Sequence, residues 1–163
     1  MRWCWSRTGA SVSREADIYA ILSADATLLA TLTGGVHKRE STGIEGITRA
    51  TVPSAFDSNN YLKPCALIAE RATVPDGAVK DLMARVVSTR VTVEVYLYAD
   101  SSAGYTPLDT AAARVYALLQ GRQLTASFEI ELVNVVGRWR EMDGPLMNAC
   151  ATRYDFGVTG IMS

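Results

Sequence analysis

The sequence has no excess of basic charge. Its 163 residues carry 16 Lys and Arg against 17 Asp and Glu, a formal net charge of −1 and a pI of about 5.8. Nucleic-acid affinity rests largely on cations meeting phosphates, so no overall balance draws this chain onto DNA or RNA. Cysteine is scarce. Cys4, Cys65 and Cys150 lie far apart, are odd in number and form no C-x-x-C pair, which argues against a disulfide framework or a zinc site and fits a reducing compartment. Histidine occurs once, at His37. A Ser–His–Asp triad would have to use it, and no G-x-S-x-G elbow accompanies it, so His37 reads as an ordinary polar residue at a strand or loop edge. Gly43-Ile44-Glu45-Gly46 lacks the spacing and the lysine of a phosphate-binding loop and reads as a flexible loop; zincin and EF-hand patterns are absent. No apolar run approaches the roughly 18 residues that cross a bilayer. Residues 1–13 hold Arg2, Trp3, Trp5 and Arg7 but no apolar core segment, so they are not read as a secretory signal. The expectation is a chain with no enzymatic activity, no cofactor, no metal and no membrane.

What is present is ordinary globular material. Hydrophobic residues make up 48% and charged residues 20%, which opposes disorder. A chain of this length forms one domain and buries roughly two thirds of its unfolded surface. The expected division is an N-terminal arm over 1–13 and a single domain over 14–163.

Ser13 suits a helix N-cap, with Glu15 and Asp17 in the first turn. Ile18, Ile21, Leu22, Leu28, Leu29 and Leu32 follow at helical spacing. Asp25 interrupts that stripe and Ser23 can cap a second turn, so a break is expected at 23–25; Gly34 and Gly35 end the helix. Residues 36–39 read as a short strand, 40–62 as a long loop of the functional or mobile kind, 65–70 as a buried strand and 71–84 as a second loop. Residues 86–98 alternate strictly, Val91, Val93, Val95 and Leu97 against Arg90, Thr92, Glu94, Tyr96 and Tyr98, which predicts a half-buried strand. Thr106 as N-cap, Pro107 at the first position and Asp109 in the first turn open a helix that ends at Gly121. Two strands close the chain, one through Phe128, Ile130 and Leu132 and one over 148–158. The connection between them, 137–144, makes them antiparallel neighbours. The fold class is therefore α+β, a mostly antiparallel sheet with two main helices packed on one face.

Few residues stand out as functional. Arg138, Trp139 and Arg140 combine the residue types most enriched at interface hot spots; Trp139 either stands in an interface or folds back onto its own core. Trp3 and Trp5 place contact-type aromatics in the arm, which docks either on its own domain or on a neighbouring subunit. Glu129 and Glu131, two apart on a strand, share one face. That face is a carboxylate pair for acid–base work, a solvated strand face or, in a ring, an acidic lumen that lets DNA slide.

Several phrases taken together resemble the tail-terminator (tail-completion, neck) family of siphophages. They are the helical opening Ala16 to Asp25, the Gly-Gly-Val-His step at 34–37, the Pro-led strand from Pro64 to Ile68, the strand-then-helix centre from Val91 to Leu119, and the closing Tyr154 to Val158. The resemblance spans about residues 14–160. It implies a structural virion protein that caps the head-proximal end of the tail tube as a homo-oligomeric, typically hexameric ring. Such a ring ends tube polymerisation and joins the tail tube protein to a head-side neck or stopper protein. Genomic DNA passes through its lumen without sequence-specific binding. The implied location is the tail neck of the virion, after assembly in the bacterial host cytoplasm. A head-completion stopper or a tail tube protein is the first alternative. A small-molecule-binding or enzymatic domain is the second, and it would need a pocket with convergent polar groups.

Overall fold

The computed structural model describes residues 13–71, 74–75, 87–124 and 129–162. In chain order these form α1 (Arg14–Ser23), α2 (Ala26–Thr31), β1 (Gly35–Lys38), α3 (Arg39–Thr42), a 3-10 turn (Pro53–Ala55), β2 (Cys65–Glu70), β3 (Val74–Pro75), β4 (Val87–Ala99), α4 (Thr106–Leu119), β5 (Ile130–Arg140), a second 3-10 turn (Gly144–Leu146) and β6 (Cys150–Met162). The sheet runs β1-β2-β4-β6-β5, with β3 also paired to β4. β1 and β2 are parallel and every other pair is antiparallel. This is the expected α+β class.

Strand alternation divides the residues between two faces. On one face Val91, Val93, Val95 and Leu97 join Ala66, Ile68, Phe156 and Val158 and meet Ile18 and Leu22 of α1 and Leu108, Ala111, Val115 and Leu119 of α4. Phe156, Ile18, Leu22, Leu97, Leu108 and Leu119 are fully buried; each such side chain contributes about 1.5–3 kcal/mol by leaving water. The opposite face carries a second cluster. Ile47, Val52, Ala55 and Leu62 of the 43–62 segment cover Cys65, Leu67, Tyr98 and Ala151.

Residues 40–62, expected as a long loop of the functional or mobile kind, are anchored on the sheet by apolar residues spaced too irregularly to show a period. On the second face of β4, Glu94 and Tyr98 are buried beyond what alternation predicts, while Arg90, Thr92 and Tyr96 are half-buried as expected.

Helix starts differ from expectation in which atoms cap them. Ser13 occupies the N-cap of α1 without bonding the helix. Its hydroxyl donates to Glu70 Oε2 (3.1 Å), and the same carboxylate oxygen accepts the Glu15 N–H (3.2 Å). Glu15 returns the exchange, accepting the N–H of Glu40 (2.8 Å) and of Glu70 (3.3 Å). Two carboxylates far apart in sequence thus tie α1, β2 and α3 together.

The break at 23–25 is present, but Asp25 rather than Ser23 caps the next helix, accepting the Leu28 N–H at 2.7 Å. Arg114 of α4 forks onto the same carboxylate at 3.0 and 2.6 Å, and this contact holds the Asp25 carboxyl below its ordinary pKa. An acid on an apolar stripe is tolerated because it joins helix start to helix flank. In α4 the cap falls on Tyr105, with Thr106 already inside the helix.

The connection before β6 starts at Glu141 instead of Gly137, because β5 extends through Arg140.

Candidate interaction surfaces

The part of the second face left open by the 43–62 segment is polar. Glu94 and Asp155 stand directly opposite each other on β4 and β6, an arrangement that is destabilising for like charges unless cations intervene. Arg153 intervenes. Its Nη1 lies 3.3 Å from Glu94 Oε1 and its Nε 2.9 Å from Asp155 Oδ1. Arg71 adds a contact of 2.6 Å to Glu94, Tyr96 donates to Glu94 Oε2 at 2.8 Å, and Asn134 donates to Asp155 at 3.1 Å. Burial and the neighbouring Glu94 carboxylate push the Tyr96 hydroxyl upward in pKa. Arg90 lies flat over Gly157, where a Cβ would meet its Nε at 2.7 Å, and reaches Glu131 at 3.3 Å. Charges here alternate and cancel, which makes a specific, ordered surface rather than a field of one sign.

The sheet ends in β5, which among the described residues pairs with β6 and no other strand. Val133 and Val135 are exposed, and register shifts occur at 132–134 and 136–139. The Leu132 N–H donates to Gln120 Oε1 (2.8 Å) instead of to a strand. An edge of this length is a template for another chain, and bulges limit where pairing can occur.

At one end of the molecule the 39–62 segment meets the 141–149 connection. Ile44, Tyr61, Met142 and Met147 are all exposed there. Two adjoining grooves open beside them, of about 230 and 370 Å³, sharing Pro145 and Leu146. The smaller has an apolar floor of Ile47, Leu67 and Tyr98, and its charged lining is Arg39, Glu45, Glu141 and Asp143.

No family model and no curated protein matches the chain. A chain of a solved structure described as the virion of a native gene transfer agent (GTA) particle does. The TM-score is 0.52 at 17% identity, covering 88% of this chain and 90% of that one. The two share a fold.

The structure distributes the expected contact residues among these surfaces. Trp139 lies in β5, packed partly against the second cluster, with its indole N–H donating to Glu141 (3.1 Å) and its carbonyl accepting the Tyr105 hydroxyl (2.8 Å). Arg138 bonds Asp109 at 2.6 Å and sits 5.0 Å above the Tyr105 ring, while Arg140 is exposed. Glu131 belongs to the polar face through Arg90, and Glu129 is exposed at a bridge to Gln123. Trp3 and Trp5 lie outside the described residues.

His37 donates through Nε2 to the Gly34 carbonyl (2.8 Å). It lines a groove of about 280 Å³ at the β1 edge whose lining contains no carboxylate. Among the described residues no three His, Cys, Asp or Glu side chains are grouped for a metal. The Glu94–Arg153–Asp155 cluster escaped the sequence reading. Its trace was charged residues on the alternating polar positions of β4 and β6, strands that neighbour each other in the sheet but not in sequence, masked because charge on a strand normally marks a solvated face.

Proposed function

We propose that this chain is a structural virion protein that caps the head-proximal end of a phage tail tube as a homo-oligomeric, hexameric ring and acts without catalysis. The observation that carries this reading is the fold shared with a chain of a gene transfer agent virion over nearly the whole length of both. The exposed edge of β5 and the apolar end of the molecule supply contact surface of the kind a ring subunit needs. Ring contacts are heterologous and close by rotation. Arg140 and the Arg138–Trp139 strand would lie in or beside the subunit contact, with Trp3 and Trp5 contributing from the arm. Glu129 and Glu131 would line the lumen, where carboxylates repel DNA phosphates and let the genome pass. The partners would be the tail tube protein on one side and a head-side neck or stopper protein on the other, in the neck of the virion after assembly in the host cytoplasm.

Light-scattering mass with negative-stain imaging of the same sample tests the proposal. Closed rings of about six subunits that bind tube ends support it. Long hollow tubes would reassign the chain as a tube protein. A monomer that ignores added tail tubes would overturn the reading.

A further inference from the structure

Resting on the ring reading, we infer that the groove beside Glu45, Glu141 and Asp143 receives residues 1–12 of a neighbouring copy of this chain. Those residues include Arg2 and Arg7 and no acid, with Trp3 and Trp5 between the two arginines. The groove presents the complement: three carboxylates against one arginine around an apolar floor. Its surroundings add Met142 and Met147, at 83% and 61% exposure, and Ile44 at 96%. Large apolar side chains this open to water are what two tryptophans would cover, each ring burying about 150–250 Å², while Arg2 and Arg7 meet the carboxylates.

The position of the arm's root favours a neighbour over the same chain. Residues 1–12 join the described chain at Ser13, bonded to Glu70 at the far end of β2, where α1 packs on the helical face of the sheet. The groove opens near Leu67 and Tyr98 on the opposite face, and Tyr98 pairs with Cys65 at the other end of β2. Donor and acceptor therefore sit on opposite faces and towards opposite ends of that strand, about 17 Å apart along it. Head-to-tail contacts join two such different patches, and twelve residues spanning up to about 40 Å are long enough to reach a neighbouring copy.

Cys4 lies between the two tryptophans, while Cys65 and Cys150 are fully buried. Met142→Cys therefore adds an exposed thiol beside the groove. Mild oxidation of the assembled full-length variant should give an interchain ladder on a non-reducing denaturing gel, with Cys4 linked to position 142 by peptide mass. The ladder should collapse when Cys4→Ser is added. Removal of residues 1–12, and separately Trp3→Ala with Trp5→Ala, should lower the mass of the assembly. A Cys4 link to position 142 within one chain, or intact rings with no such link, would overturn the inference while leaving the ring standing. A monomer by light scattering that also ignores added tail tubes would remove the ring and this inference together.

Discussion

Replacing Arg153 by methionine should destabilise the protein by about 3–5 kcal/mol at neutral pH, the range for removing one partner of a buried ion pair. Glu94 and Asp155 each keep only 7% side-chain exposure and Arg153 20%, so solvent screens their interaction little. With the guanidinium gone, two carboxylates face each other across β4 and β6. The remaining cation, Arg71, is 56% exposed and compensates weakly. Methionine keeps most of the apolar stem, so lost packing is a minor part of the effect. A domain of this kind has about 5–15 kcal/mol in total, so the variant should be folded but much closer to its unfolding midpoint.

Urea unfolding at one fixed protomer concentration measures the loss, as a lower midpoint with unchanged slope. Neutralising the carboxylates separates charge from packing. Adding Glu94→Gln and Asp155→Asn to Arg153→Met should recover most of the stability at neutral pH. A deficit below about 1 kcal/mol, or one that the two neutralising substitutions leave unchanged, would refute the assignment of Arg153 as the bridge between two buried charges.

Gly34→Ala should lose about 1–3 kcal/mol in the same unfolding assay, because the new Cβ meets the Lys63 carbonyl oxygen at 2.9 Å and the Cys65 Cβ at 3.0 Å, where β1 starts against β2. Asp25 has a folded pKa below the ordinary aspartate value of 3.8, held there chiefly by the Arg114 hydrogen bond. Its contribution is thus present above that value and lost as pH falls through the lower folded pKa, and Asp25→Asn should flatten this part of the acid-stability curve measured by thermal melts. The Cys65 thiol is pushed up to about 12 by burial, and Cys150 is fully buried. A thiol reagent at mildly alkaline pH should therefore leave both unreacted in the native protein and label them on addition of denaturant.

The elements with a clean period were legible. The valine alternation of β4 and the apolar stripe of α4 each bury one face, so period and burial carry the same signal. The sheet order was not legible beyond the β5–β6 pair, since parallel pairing of β1 with β2 depends on where the 43–62 segment lies. That segment packs through Ile47, Val52, Ala55 and Leu62, spaced by no single period, and composition alone resembles a loop. Helix caps were misplaced for a related reason: Glu70 supplies the bond at the start of α1 from a strand remote in sequence.

The contact residues show why composition finds surfaces only in part. Trp139 flanked by two arginines is a strong interface composition, yet the indole also has a partner in Glu141 and a place against its own core. Arg138 likewise has Asp109 and Tyr105. Side chains already engaged within the chain gain less from a new partner, because forming that contact breaks another. Met142 and Ile44, in the 137–144 connection and the 40–62 loop, expose 83% and 96% of their area. Covering them removes apolar surface from water without breaking a hydrogen bond. On this physical ground the 39–62 and 141–149 end of the molecule, more than the Arg138–Arg140 strand, is the surface where a partner gains most by docking.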